Sequence, residues 1–304
     1  MNTIQVIMST YNGEKFLTEQ LDSILTQEMV KVDILVRDDG SVDDTLAILE
    51  EYQKKYTNFR YFAGQNCGVI QSFFEAMKYS EEEAEYYAFA DQDDVWLPQK
   101  LQIAIERLKE IRFDLPALYC SKTILVDEEL NELPMQINER EKIPSFGNAL
   151  VENICTGCTA VMNKALFKKI KEHVPEYTVM HDWWFYLTAS YFGEVIYDEE
   201  GYILYRQHGH NVLGSRNTYL KEFKARAKNF KKHRGQVRKQ AISFYKSYKE
   251  ELLINPQARR LLAQLLNAKK NWRYKWALIK NSNIYRQRPM DNLIFKILYL
   301  ANHI

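Results

Sequence analysis

The sequence predicts an α/β fold: a mostly parallel sheet with helices on both faces, followed by a helical, basic C-terminal extension. Three observations carry this. Apolar runs of about five residues alternate with segments of helical spacing through the first half, as in chained βαβ units. Polar and acidic segments follow directly on the ends of those runs, at the sheet edge where α/β folds bind ligands. Residues 221–304 hold 21 Lys and Arg against 4 Asp and Glu, a net +17, so residues 1–220 carry −16. Such asymmetry points to a tail that meets an anionic partner, or to two segments that meet each other.

The elements follow in order. Strands are expected at 3–8, 32–37, 59–63 and 86–90, each rich in Val, Ile, Tyr or Phe. Between them, 14–27, 42–55 and 69–79 repeat apolar residues at helical spacing, as in Phe16, Leu17, Leu21, Ile24 and Leu25. After Pro98 a helix of about 14 residues is expected, then a strand at 117–126, a loop rich in Glu, Pro and Asn over 127–148 and a Gly-containing turn at 153–158. Residues 181–192 read as helix and 194–206 as extended; from about 218 onward the pattern is helical and basic. The boundary falls near 215, giving an α/β domain at 1–215 and an α-helical basic region at 216–304.

Composition narrows the class. A hydrophobic fraction of 46%, with 27% charged residues, 11 Gly and 7 Pro, excludes disordered and fibrous chains. There is no secretory leader pattern and no apolar run of the roughly 18 residues needed to cross a bilayer. Cys67, Cys120, Cys155 and Cys158 form no disulfide framework. The expectation is a cytoplasmic protein, dissolved or peripheral on a membrane. Cys155-x-x-Cys158 has zinc spacing but lacks a second pair.

Two constellations carry chemistry. Ser9-Thr10-Tyr11-Asn12 ends the first strand, and Arg37-Asp38-Asp39-Gly40-Ser41 ends the second. A carboxylate there can accept the N3–H of uracil or thymine, with the first loop holding base and ribose; Asp38 and Ser41 can equally cap the next helix. The second is Asp91-Gln92-Asp93-Asp94, directly after Tyr86–Ala90. Three carboxylates in four residues repel one another, and Mg²⁺ or Mn²⁺ shared with substrate phosphates resolves that. The alternative is a solvated helix N-terminus before Trp96-Leu97-Pro98.

With these motifs in this order, residues 3–210 resemble the family 2 glycosyltransferases, which have the GT-A fold. The form Phe89-Ala90-Asp91-Gln92-Asp93-Asp94-Val95-Trp96 is most similar to the rhamnosyltransferase-like branch of bacterial surface-polysaccharide synthesis. The resemblance implies a metal-dependent, inverting transferase that moves a sugar from a nucleoside-diphosphate donor to a saccharide or lipid-linked acceptor. It places Ser9, Thr10, Tyr11, Asn12, Asp38, Asp39, Asn66, Gly68, Asp91 and Gln92 with the donor. Asp93 and His208 would hold Mn²⁺ or Mg²⁺, Arg206 would clamp the diphosphate, and Asp182 would be the general base. Asp94, Gly157, Trp183 and Trp184 fall on the acceptor and sugar side, with helix core as the other reading of the tryptophans. His181-Asp182 stands where Glu-Asp is commoner, so Asp182 alone carries over. The branch suggests dTDP-L-rhamnose as donor; a UDP-hexose or UDP-N-acetylhexosamine stays open, because N3–H is common to both bases. A non-catalytic nucleotide-sugar scaffold is the rival of another class, disfavoured by the intact Asp93 and Asp182.

In the tail, Leu220, Phe223, Ala227 and Phe230 recur at 3–4 spacing among nine basic residues of 221–239, and Trp272, Tyr274 and Trp276 sit among Lys and Arg. Basic amphipathic helices with interfacial aromatics lie on anionic membranes, here the inner face of the cell membrane. The alternatives are packing on the acidic domain and pairing in a homodimer. No nucleic-acid motif accompanies the basic stretch.

Overall fold

A computed structural model describes residues 1–81, 83–134, 142–207, 235–267 and 272–301. The chain divides into two compact units. The first comprises 1–137, 155–172 and 192–211, and the second 138–154, 173–191 and 212–304.

The first unit is built on eight strands: β1 (Asn2–Thr10), β2 (Val30–Asp38), β3 (Phe59–Ala63), β4 (Tyr86–Ala90), β5 (Val95–Trp96), β6 (Ala117–Val126), β7 (Val161–Asn163) and β8 (Glu194–Arg206). They form one sheet in the order β3-β2-β1-β4-β7-β6-β8-β5. The β3-β2-β1-β4 half is parallel throughout. β7 then runs antiparallel to both β4 and β6, β6 pairs β8 in parallel, and β5 lies antiparallel on β8. β1 is central, which is why Ile4-Gln5-Val6-Ile7-Met8 reads as a continuous buried run and not as an alternating one.

Helices α1 (Leu17–Leu25), α2 (Thr45–Lys55), α3 (Val69–Lys78), α4 (Lys100–Leu108) and α6 (Lys164–Glu172) belong to this unit. α1 buries Leu17, Leu21 and Ile24, and α4 buries Leu101, Ala104, Ile105 and Leu108, into one core cluster with Val6, Ile34, Val36 and Ala88. The helix expected after Pro98 is shorter than anticipated, stopping at Leu108 before the exposed Phe113 and the Asp114-Leu-Pro116 turn. Three elements carried no sequence signal of their own. β5 and β7 span two and three residues, and α6 begins directly where β7 ends. Glu132 of the 127–148 loop forms an isolated bridge back to Val126 at the end of β6, and the loop runs into the short helix α5 (Phe146–Ala149).

The second unit is helical among its described residues: α5, α7 (His181–Phe192), α8 (Gln236–Ser247), α9 (Pro256–Asn267), α10 (Trp272–Lys280) and α11 (Pro289–Leu300). α7 is buried nearly all round from His181 to Ala189. Its Trp184 ring lies 5.6 Å from Phe244 and 6.1 Å from Tyr248, while Phe146 of α5 packs 5.2 Å from Tyr191 and 5.7 Å from Phe244. The predicted basic helix at 221–239 falls mostly outside the described residues. Among the described residues no helix is long and apolar enough to cross a membrane.

Candidate functional site

Strand register brings the two acidic motifs to one sheet edge. Thr10 at the end of β1 pairs with Asp38 at the end of β2, and Met8 pairs with Ala90 at the end of β4. The loops that follow enclose a cavity of about 530 Å³. Ser9, Thr10 and Tyr11 line it from the first loop, Asp39 from the second, and Asn66, Gly68 and Val69 from the entry to α3. Asp91, Gln92 and Asp93 close the side after β4, with Tyr205 of β8 beside them.

The adjacent acids Asp38 and Asp39 have different surroundings. Asp38 is fully buried and saturated from its own neighbourhood. Its Oδ1 accepts from Thr10 Oγ1 at 2.9 Å and Ser41 Oγ at 2.5 Å, and its Oδ2 from the amides of Gly40 and Ser41 at 3.0 and 2.8 Å. It builds the turn and has no free face toward the cavity, which corrects its expected place with the donor. Asp39 does line the cavity. Its Oδ1 accepts from Arg37 Nη1 at 2.6 Å and the Cys67 amide at 2.9 Å, and its Oδ2 from the Gly68 amide at 2.8 Å. Burial alone would raise its pKa, but the Arg37 guanidinium and the Cys67 and Gly68 donors outweigh it and hold the carboxyl below its ordinary range. The cavity is thus furnished with an ionised acceptor. Arg37 is held in turn by Ser72 Oγ at 2.8 Å and Gln65 O at 3.0 Å. The Gly68 amide reaches Asp39 from a backbone φ of +81°, a conformation that glycine adopts without strain.

The first loop is shaped by side-chain clamps. Gln92 Oε1 accepts from the Tyr11 amide at 2.7 Å and its Nε2 donates to Tyr11 O at 3.1 Å. Asn12, at φ +49°, accepts from the Val42 amide at 2.9 Å, and its own amide donates to Ser41 Oγ. Gly13 leaves room for this, since a Cβ there would stand 2.5 Å from Gln92 Oε1. Gln92 therefore braces the two loops together while lining the cavity, and Asn12 acts behind it.

Of the acidic segment, Asp91 and Asp93 are half-buried on the cavity wall, whereas Asp94 is buried below it and its Oδ1 accepts from the Arg206 amide at 3.4 Å. Burial, then the charges of Asp91 and Asp93, push the Asp94 carboxyl well above its ordinary range. Asp94 thus corrects its expectation as an acceptor-side group: it has no surface to offer. Asp91, Asp94 and Cys158 bring one ligand atom each within 4.8 Å of one another, the grouping with metal-holding geometry among the described residues. Asp91 and Asp93, which line the cavity, carry carboxylates of the kind that suit Mg²⁺ or Mn²⁺ sharing phosphate oxygens. The Cys158 thiol suits such hard ions poorly, and burial, followed by the nearby acids, raises its pKa well above the usual value. His208, the other expected metal ligand, lies outside the described residues.

Arg206 differs most from expectation. Its guanidinium is buried: Nε donates to Asp93 O at 2.9 Å, Nη1 to Glu128 O and Nη2 to Glu19, with its carbon 4.4 Å from the Phe16 ring centroid. With every nitrogen engaged by protein, it is a structural brace and not a diphosphate clamp. Gly157 is buried in a one-turn 3₁₀ helix, Gly157–Thr159, and does not line the cavity.

Three residues belong in the second unit. Asp182 is mostly buried at the first turn of α7, its Oδ1 accepting from the Trp183 amide at 2.7 Å. Trp183 is half-buried and donates from Nε1 to Ala149 O at 2.7 Å. Trp184 is core, its ring enclosed by Phe244 and Tyr248, which corrects its expectation as a sugar platform.

Val69, Tyr205 and Lys100 were not anticipated. Tyr205 stands one residue before Arg206, the expected diphosphate contact. Lys100 is fully buried beneath the acidic loop, its Nζ 3.3 Å from the Trp96 ring centroid. Burial lowers its pKa to about 7, against the opposing pull of Cys158 and Asp94. The one signal was its place on the apolar face of α4, next to Leu101 and four before Ala104.

The profile described as glycosyl transferase family 2 matches residues 5–171. A dTDP-rhamnosyl transferase of Shigella flexneri is 30% identical over 228 residues, covering 71% of this chain and 77% of its own. An uncharacterised glycosyltransferase of Rickettsia typhi is 29% identical over 230 residues, 73% of this chain and 69% of its own. Among solved structures, residues 1–349 of S. aureus TarS in complex with UDP-GlcNAc align over all of this chain and 93% of theirs, with a TM-score of 0.56 at 18% identity. The fold is that of the GT-A glycosyltransferases.

Proposed function

The chain belongs to glycosyl transferase family 2 and is a glycosyltransferase, and from that premise we propose that it transfers L-rhamnose, with inversion, from dTDP-L-rhamnose to a hydroxyl of a growing polysaccharide or lipid-linked oligosaccharide. The observation that carries the donor half is Asp39, a carboxylate held ionised on the cavity wall, with Asp91 and Asp93 facing the same space. Asp39 accepts the N3–H of the pyrimidine, and the Ser9–Tyr11 loop holds base and ribose. The choice of rhamnose rests on the Shigella relative.

Asp91 and Asp93 would hold a divalent ion, Mn²⁺ or Mg²⁺, which when bound neutralises charge on the departing diphosphate. Asp182 accepts the proton of the acceptor hydroxyl as its oxygen bonds to the anomeric carbon and the bond to the diphosphate oxygen breaks. Residues 1–215 form the catalytic part in this reading. Residues 216–304 bring the enzyme to the inner face of the cell membrane, where a lipid-linked acceptor resides. A UDP-sugar donor is the second reading, favoured by the single feature Asp39 reads, since uracil carries the same N3–H.

Donor hydrolysis tests the proposal. Purified protein is given dTDP-rhamnose, UDP-glucose, UDP-GlcNAc or GDP-mannose with Mn²⁺, Mg²⁺ or EDTA. Release of dTDP that EDTA abolishes is the expected result, and Asp182→Asn is expected to lose transfer while still binding donor. Release of UDP in place of dTDP moves the assignment to the second reading. No donor-induced thermal shift with any nucleotide would overturn both.

A further inference from the structure

The described part of the C-terminal region leaves two apolar stripes facing outward. α11 buries Ile294, Phe295, Leu298 and Tyr299, and exposes Leu293, Ile297 and Leu300, at the i, i+4, i+7 spacing of a single helix face. α10, which packs against α11, exposes Trp272 and Trp276, one turn apart. These five side chains are between 43% and 66% exposed. Lys275, beside Trp276, donates to Leu300 O at 2.9 Å, so the end of the α11 stripe lies against α10. Exposed large apolar side chains gathered on neighbouring helices mark an interaction surface.

The charges around the stripes have one sign. Arg273, Lys275, Lys280 and Lys296 flank them, and the one acid between 272 and 300, Asp291, is buried. From the apolar stripes within this basic border we infer that α10 and α11 form an in-plane membrane-docking surface for an anionic lipid bilayer. The tryptophans and aliphatic side chains enter the acyl boundary, and the lysines and Arg273 meet lipid phosphates. α11 has 12 residues, about 18 Å at 1.5 Å each, which is short of the roughly 30 Å hydrocarbon core. A helix of that length, packed on the protein by one face and exposing an apolar stripe on another, lies in the interface and does not span it. An acidic protein face would satisfy the basic border but leave the five apolar side chains in water. The headgroup region takes both, and Trp is favoured there. The inference rests on the membrane-peripheral reading above and assigns it a surface.

The test uses the full chain in flotation with vesicles of phosphatidylcholine alone and of phosphatidylcholine with phosphatidylglycerol. Two variant sets accompany it: Leu293→Gln/Ile297→Gln/Leu300→Gln, and Trp272→Gln/Trp276→Gln. All five positions are exposed, so the variants are expected to melt as the wild type does. The wild type should float with anionic vesicles only, and each set should cut the bound fraction by about tenfold, since each removes several interfacial anchors, with donor hydrolysis unchanged. A wild type that stays with the pellet overturns the membrane reading as a whole. Variants that float like the wild type overturn this surface and leave the basic region as the contact. Variants that abolish a concentration-dependent dimer in lipid-free buffer, while floating normally, assign the face to a second copy and overturn the inference. Donor hydrolysis, read in parallel, bears on the transferase proposal alone.

Discussion

Replacing Arg37 with Met removes the guanidinium paired with Asp39 and leaves a buried carboxylate to the amides of Cys67 and Gly68. Three hydrogen bonds go with it: to Asp39 at 2.6 Å, to Ser72 Oγ at 2.8 Å and to Gln65 O at 3.0 Å. Both members of the ion pair are buried, with side-chain exposures of 6% and 4%. Solvent therefore cannot rescue the orphaned charge, and breaking such a pair costs about 3–5 kcal/mol. The paired change Arg37→Met/Asp39→Asn removes the charge while keeping an oxygen for the Cys67 or Gly68 amide. It should recover about 2 kcal/mol of that loss or more, a coupling that a double-mutant cycle reads directly. Urea denaturation of the wild type, both single variants and the double supplies the four numbers. The single Arg37 variant should also lose pyrimidine-nucleotide affinity at mildly acidic pH, because its Asp39 no longer has the partner that keeps it ionised. A loss below about 1 kcal/mol for Arg37→Met, or a double variant no more stable than the sum of the singles, would refute the assignment of Arg37 as the partner that ionises Asp39.

Other expectations follow from the same kind of reasoning. His181 is fully buried, and burial lowers its pKa to about 3. The unfolded chain, with an ordinary value near 6.5, then binds the extra proton first as pH falls. Stability should be complete above pH ~6.5 and decline by about 1.4 kcal/mol per pH unit below it, roughly 2 kcal/mol by pH 5; urea curves at several pH values, against His181→Phe, measure the slope. Gly13→Ala places a methyl group 2.5 Å from Gln92 Oε1 and should cost about 1–2 kcal/mol in the wild type and close to none in a Gln92→Ala background, read from thermal melts. Trp184→Ala should destabilise the second unit by about 3–5 kcal/mol, against about 1 kcal/mol for Trp183→Phe, which gives up one hydrogen bond; equal losses in denaturation would contradict the core assignment of Trp184.

Where an element is long and its burial uniform, the sequence told its nature. β1 and β4 read as continuous apolar runs because a central parallel strand is buried on both faces, β2 does so over Ile34-Leu35-Val36, and β3, of the same parallel half, was legible by composition alone. The helix at 181–192 and the strand at 194–206 fall where the pattern put them. β5 and β7 are too short to have a period, and exist because β8, β4 and β6 offer them partners. At the candidate site, chemistry was legible but division of labour was not. Asp38 and Asp39 are neighbours of identical type, and what separates them is which donors reach each: Thr10, Gly40 and Ser41 for one, Arg37, Cys67 and Gly68 for the other. Arg206 was expected at the diphosphate because of the resemblance and because a guanidinium suits phosphate. Its partners Glu19 and Glu128 lie 187 and 78 residues away in the chain, beyond the reach of any local pattern.

That arginine has a consequence for how the acidic loop works. Through its Nε bond to Asp93 O and its backbone bond to Asp94, Arg206 fastens the loop after β4 to the last residue of β8. The main chain at Asp93 is anchored from outside, so the freedom left to its carboxylate is rotation about side-chain bonds. A group meant to receive an ion and a diphosphate then has its reorganisation completed during folding and does not repeat it at each turnover. The chain continues from that anchor directly into Gln207, whose amide donates to Val126 O. A pull transmitted along the segment beyond β8 would thus reach the acidic loop through Arg206, with no substrate involved.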